Sequence, residues 1–151
     1  MKNNIKKQSL YFIFLIILGI VLIIVARPVF QANDDAVMRS IISGRYGGTP
    51  DAHSIYMGYS LACFLCVLYK YVNSSISWYG ILWGICILWS VFLITKDILF
   101  QEYDTRKKRR FAYSFVGILV LIYVNFFLIQ QYTVVASIVG STVLFNIIYR
   151  K

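Results

Sequence analysis

Asn33-Asp34-Asp35 follows a few residues after the first long apolar run and is the only pair of adjacent carboxylates in an otherwise greasy, basic chain. Two like charges side by side repel, so the pair makes physical sense where water, a cation or a metal ion compensates it. A carboxylate there can take a proton from a hydroxyl or ligate a hard divalent cation. The competing reading is a helix start, because Asn and Asp cap helices and acidic groups suit the first turn. Arg39 and Arg45 come next, and guanidinium groups are well suited to phosphate oxygens. His53, the single histidine, shares a loop with Asp51, and Lys70 closes the next apolar stretch. Carboxylates, cations, a histidine and the turn formers Gly44, Gly47, Gly48 and Pro50, all beside an apolar run, suit a phosphorylated lipid substrate. Cys63, Cys66 and Cys86 lie inside apolar stretches without a flanking histidine and read as small buried hydrophobes, with neither a zinc site nor a disulfide framework.

The elements that must carry these residues are membrane helices. Hydrophobic residues make up 60% of the 151 and charged residues 14%, and several uncharged stretches approach the ~20 residues that cross a ~30 Å hydrocarbon core. The net charge of +9 then concerns orientation and anionic headgroups, and no nucleic-acid partner is expected. The run 10–26 follows Lys2, Lys6 and Lys7 and continues into Arg27-Pro28 without a small-x-small cleavage site, as an uncleaved signal anchor does.

Five segments are apolar enough to consider: about 10–29, 54–72, 78–95, 111–130 and 133–149. If all five cross from a cytoplasmic N-terminus, four basic residues lie inside against eleven outside, the reverse of the positive-inside rule. Keeping 54–72 on the outer face as an interfacial or re-entrant helix inverts the balance. Lys2, Lys6, Lys7, Lys96, the cluster 106–110, Arg150 and Lys151 are then inside, eleven in all, with Arg27, Arg39, Arg45 and Lys70 outside. Five crossings with an external N-terminus also place eleven inside, but export the lysine leader that normally fixes a first helix. Tyr56, Tyr59, Tyr69 and Tyr71 suit headgroup depth for 54–72.

The expected fold is therefore all-α: a polytopic membrane helix bundle forming one domain over 1–151, with four transmembrane helices (about 10–29, 78–95, 111–130, 133–149) and both termini cytoplasmic. The outer loop 31–77 carries the surface helix 54–72 and a short helix over 36–43, with Val37, Met38, Ile41 and Ile42 toward the bilayer. In the last span, Ala136-x-x-x-Gly140 and Ser137-x-x-x-Ser141 space small residues one turn apart, a helix-packing pattern. No span carries an ionisable residue near its middle, which disfavours a transporter.

Asn33-Asp34-Asp35, Ser43-Gly-Arg-Tyr-Gly-Gly-Thr-Pro-Asp51-Ala-His53, Leu68-Tyr69-Lys70, Ser77-Trp78-Tyr79-Gly80 and Gln131-Tyr132-Thr133 together resemble the N-terminal part of bacterial GT-C-type glycosyltransferases. These polytopic enzymes take sugars from polyprenyl-phosphate donors, and their first outer loop holds an essential acidic residue or pair. The resemblance implies that Asp34 or Asp35 is the catalytic base or, with its neighbour, a ligand for Mg²⁺ or Mn²⁺. It makes Arg39, Arg45, His53 and Lys70 candidates for binding the donor phosphate. The expected partners are a polyprenyl-phosphate-linked sugar and membrane lipid. Enzymes of this type are several times longer, so the resemblance also implies a truncated or split module that needs a second membrane chain. The alternative is a non-catalytic membrane subunit or lipid-binding remnant of the same fold.

Overall fold

The computed structural model describes residues 2–31, 33–54 and 56–149, and its regular structure is almost wholly helical. The helices are α1 (Lys2–Ala26), α2 (Asn33–Ile42), α3 (Tyr59–Val67), α4 (Trp78–Leu99), α5 (Arg106–Leu128) and α6 (Tyr132–Tyr149), and α3 continues as a π-helical turn over Leu68–Val72. Two-residue extended pieces follow α1 and α5, at Val29–Phe30 and Ile129–Gln130. Three segments, Lys6–Ala26, Trp78–Leu99 and Arg106–Leu128, are long and apolar enough to cross a membrane. α6, at 18 residues, is about 27 Å long, slightly under the ~30 Å hydrocarbon core.

The chain forms two compact units, one of Met1–Val29 with Gly84–Lys151 and the other of Phe30–Trp83. In the first, α1 and α4 pack antiparallel. Tyr11 hydrogen-bonds Thr95 across 2.6 Å, the Phe12 ring lies 4.8 Å from Phe92, and a Cβ added to Gly19 would come within 2.6 Å of Leu88. Contacts thus move down α4 as they move up α1. Gly84 packs on Phe127, and the α4–α5 connection is short enough to require antiparallel neighbours. α6 returns along α5, with Tyr123 hydrogen-bonded to Thr142.

This arrangement brings the start of α1, the α4–α5 loop, the start of α5 and the end of α6 to one end of the unit. Lys6, Lys7, Lys96 and the 106–110 cluster all lie there. Arg150 and Lys151, counted with them from the sequence, lie outside the described residues. Leu15, Ile87, Val91, Phe127 and Val135 form the core, each at most 3% exposed, whereas Leu10, Ile13, Ile17, Ile24, Leu121 and Ile148 point outward. Helices apolar on both their inner and outer faces match a hydrocarbon surround. Four intended packing residues of α6, Ala136, Ser137, Gly140 and Ser141, face outward, while Val135, Ile138 and Thr142 make its inner face. Asn146, a polar residue within the apolar helix, donates its side-chain N–H to the Thr142 carbonyl at 2.8 Å.

The helix boundaries differ from the expected ones where polar residues join a helix. Thr105 caps α5 by accepting the Lys108 N–H, so the basic cluster 106–110, ahead of the span expected from about 111, forms the start of the helix. α1 ends at Ala26 because Arg27 adopts a left-handed conformation, φ 49°, and Pro28 follows.

Candidate functional site

The unit of Phe30–Trp83 contains every residue singled out for chemistry. α2 begins at Asn33, not at 36, so Asp34 and Asp35 occupy its first turn and Arg39 its last. Both placements suit the helix dipole. Successive helical residues are turned by about 100°, and the two carboxylates separate accordingly: Asp34 is exposed and Asp35 is 2% exposed. Asp35 shares its face with Met38 and Ile42, spaced by three and four residues. The expectation that Met38 and Ile42 face the bilayer is corrected by their burial, 2% and 0% exposed, on the same side as Asp35.

The buried carboxylate is held by a residue far along the chain. The Tyr79 hydroxyl donates to Asp35 Oδ1 at 2.8 Å, and the Tyr79 backbone N–H donates to the Tyr69 hydroxyl at 3.1 Å. Tyr79 and Tyr69 are 0% and 2% exposed. The Tyr79 ring meets Phe30 and Trp83 edge-on at 5.4 and 5.1 Å, favourable aromatic geometry. Burying Asp35 costs free energy unless its oxygens find donors, and Tyr79 supplies one. Tyr69, expected at headgroup depth with its neighbours, is instead interior. Tyr56, Tyr59 and Tyr71 are exposed.

Arg39, one turn beyond Asp35, lies with its guanidinium 5.7 Å from the centre of the Phe30 ring. Its Nε is buried and has no hydrogen-bond partner among the described residues. A buried guanidinium N–H without an acceptor is costly, and an anionic oxygen is the group best able to satisfy it.

After α2 the chain turns sharply. Asp51 N–H donates to the Ile41 carbonyl at 3.2 Å, which folds the Gly-rich loop back on the helix. Gly44 has φ 77°, and a Cβ there would sit 2.7 Å from Pro50 N, so only glycine fits. Asp51 Oδ1 accepts from the His53 backbone N–H at 2.9 Å and lies 2.8 Å from His53 Nδ1. These contacts, the backbone one foremost, hold the Asp51 carboxyl below the usual carboxylate value. The His53 ring lies 5.4 Å from Tyr59. α3 starts at Tyr59, behind Gly58, not at 54. Cys66, half-buried in α3, donates its thiol to the Ile42 carbonyl at 3.6 Å.

Asp35 and Arg39 therefore share one short helix and one partly buried environment. Asp34, Arg45, His53 and Lys70 are exposed; His53 is engaged by Asp51, and Lys70 Nζ lies 5.1 Å from the Tyr71 ring. Tyr79 and Tyr69 belong to stretches that carry the family resemblance, and no motif in the sequence marks either as a partner of Asp35. Among the described residues no three His, Cys, Asp or Glu side chains are grouped to hold a metal ion. With Asp34 outward and Asp35 inward, the pair does not fit a resident Mg²⁺ or Mn²⁺. Comparison with protein-family models, curated proteins and solved structures finds no match for the chain.

Proposed function

We propose that the chain is a GT-C-like glycosyltransferase module that handles a polyprenyl-phosphate-linked sugar at the outer membrane face together with a second membrane chain. The observation that carries the proposal is the division of labour on α2: an exposed carboxylate at Asp34, a buried, tyrosine-held carboxylate at Asp35, and a guanidinium with an unsatisfied N–H at Arg39. Asp34 is the base. As the acceptor oxygen bonds to the anomeric carbon, the bond from that carbon to the donor phosphate breaks, polyprenyl phosphate leaves with the electron pair, and Asp34 takes the hydroxyl proton. Arg39 binds phosphate oxygens. Asp35 positions α2 through Tyr79 and touches no reacting atom. Arg45, His53 and Lys70 line the approach as exposed groups that guide an anionic headgroup.

The proposed topology has four crossings, with both termini cytoplasmic and 31–77 outside. Two independent observations support it. The eleven-to-four division of basic residues favours it. So does the antiparallel packing of α1 and α4, since a crossing by 54–72 would make those two helices parallel. The outward small-residue face of α6 supports a partner helix.

The burial of Asp35 favours a second reading, a non-catalytic lipid-phosphate-binding subunit, because a carboxylate closed off by Tyr79 is not available to an acceptor. The two are separated by reconstituting the chain with its partner in nanodiscs. Asp34→Asn keeps shape and hydrogen bonding but removes basicity, and should lower sugar transfer by about 100-fold if Asp34 is the base. Unchanged transfer, with binding of polyprenyl phosphate still lost in Arg39→Ala, establishes the binding-subunit reading.

A further inference from the structure

α5 opens with five consecutive cations, Arg106, Lys107, Lys108, Arg109 and Arg110. Next to the first of them is a cleft of about 690 Å³, within the range of small-molecule sites. Lys107 and Lys108 border it, and Phe111, Phe115 and Phe145 line it. Its wall is completed by Ile98 and Tyr103, whose hydroxyl donates to the Ile98 carbonyl at 2.7 Å and so ties the α4–α5 loop to the end of α4. Phe111 is 76% exposed and Phe115 44%, a large aromatic surface immediately beside a concentration of positive charge.

The two halves of this cleft call for different solvents. Aromatic rings at the end of an apolar helix prefer hydrocarbon, whereas ammonium groups prefer water or an anion. The backbone at the helix start is already satisfied in part, since Thr105 accepts the Lys108 N–H. Attraction for an anion therefore comes from the lysine side chains. Lys108 has an exposed neighbour in Asp104 at 3.4 Å, a pair worth little in water, and Lys107 has no ion-pair partner among the described residues.

We propose that this cleft binds an anionic phospholipid from the leaflet at the basic end of the helices. The phosphate rests on Lys107 and Lys108, and an acyl chain lies along Phe111, Phe115 and Phe145. A zwitterionic lipid offers the same chain but no net negative charge to match the cations. The cleft's residues belong to the unit of Met1–Val29 with Gly84–Lys151, and the site does not depend on the proposed donor chemistry.

A basic cluster that only sets topology would attract anionic lipid diffusely, with each cation contributing alike. Native mass spectrometry of the full chain, released from detergent containing equal phosphatidylglycerol and phosphatidylcholine, distinguishes the cases. The parent should retain phosphatidylglycerol preferentially. Lys107→Gln with Lys108→Gln should lower that preference by at least about fivefold, the contribution of a single near-surface lysine. Arg109→Gln with Arg110→Gln removes the same charge from side chains outside the cleft and should leave the preference within about twofold. As a second readout, the added fluorescence of the Phe115→Trp variant should be quenched more by phosphatidylglycerol brominated on its chains than by brominated phosphatidylcholine. Equal losses in the two double variants, no preference in the parent, or equal quenching by both lipids overturns the site.

Discussion

Tyr79→Phe removes one oxygen and leaves the ring, so its contacts with Phe30 and Trp83 survive while the 2.8 Å hydrogen bond to Asp35 is lost. Donor and acceptor residues are 0% and 2% exposed, which leaves little room for water to replace the hydroxyl. A hydrogen bond to a carboxylate contributes about 1.5–3 kcal/mol, which corresponds to about a 12- to 160-fold change in a local opening equilibrium. Cys66 reports that opening, because its thiol packs on the Ile42 carbonyl at the end of α2 and becomes available when α2 separates from α3. In a Cys63→Ala, Cys86→Ala background, maleimide should therefore label Cys66 in the Tyr79→Phe variant at least about tenfold faster than in the parent. Asp35→Asn keeps an acceptor for the Tyr79 hydroxyl at neutral strength, about 0.5–1.5 kcal/mol, and should give an intermediate rate. A labelling rate in Tyr79→Phe within twofold of the parent would refute the claim that this hydrogen bond holds α2 in place.

Single cysteines placed at 49 and 75 in a cysteine-free background should react with an impermeant reagent from outside, and one at 105 only after permeabilisation; labelling of 75 from the cytoplasm alone would remove the four-crossing topology. The depressed Asp51 carboxyl makes the loop at His53 sensitive to acid. Because the folded value lies below the unfolded one, the contribution of the ionised group is present above the ordinary carboxylate value, about 3.9, and disappears as pH falls through the lower folded value. An NMR titration following the His53 amide should show its midpoint below that of a free aspartate, and a midpoint at or above it would contradict the turn geometry.

The helical character and the three longest apolar helices were legible because composition and length alone demand them. Charge arithmetic set the 54–72 segment apart from the spans, and the apolar helix found there, from Tyr59 to Val72, is shorter than the three long enough to cross a membrane. Helix starts were less legible, since the residues that serve a polar loop also serve a first turn. Asn33, Asp34 and Asp35 belong to α2, and the 106–110 cluster to α5. Tyr79 escaped because its bond to Asp35 joins residues 44 apart, a pairing that local periodicity cannot express. Tyr69 escaped for a related reason: an aromatic hydroxyl near a membrane surface has the same composition signal whether it points to headgroups or to a buried N–H.

Adjacency in sequence made Asp34 and Asp35 look like one device, whereas helix geometry makes them two. Side chains about 100° apart on a helix of about three turns cannot both face the same small ligand while one is closed inside the fold. The consequence is that their substitutions have separable signatures. A change at Asp35 acts through Tyr79 and the packing of α2, so it should alter Cys66 protection whether or not any sugar is transferred. A change at the exposed Asp34 leaves that packing intact, so loss of transfer with normal Cys66 protection would assign it to chemistry. If Asp34→Asn also exposed Cys66, its role would be the stabilisation of the first turn by a negative charge at the helix start, and the exposed carboxylate would no longer distinguish an enzyme from a binding subunit.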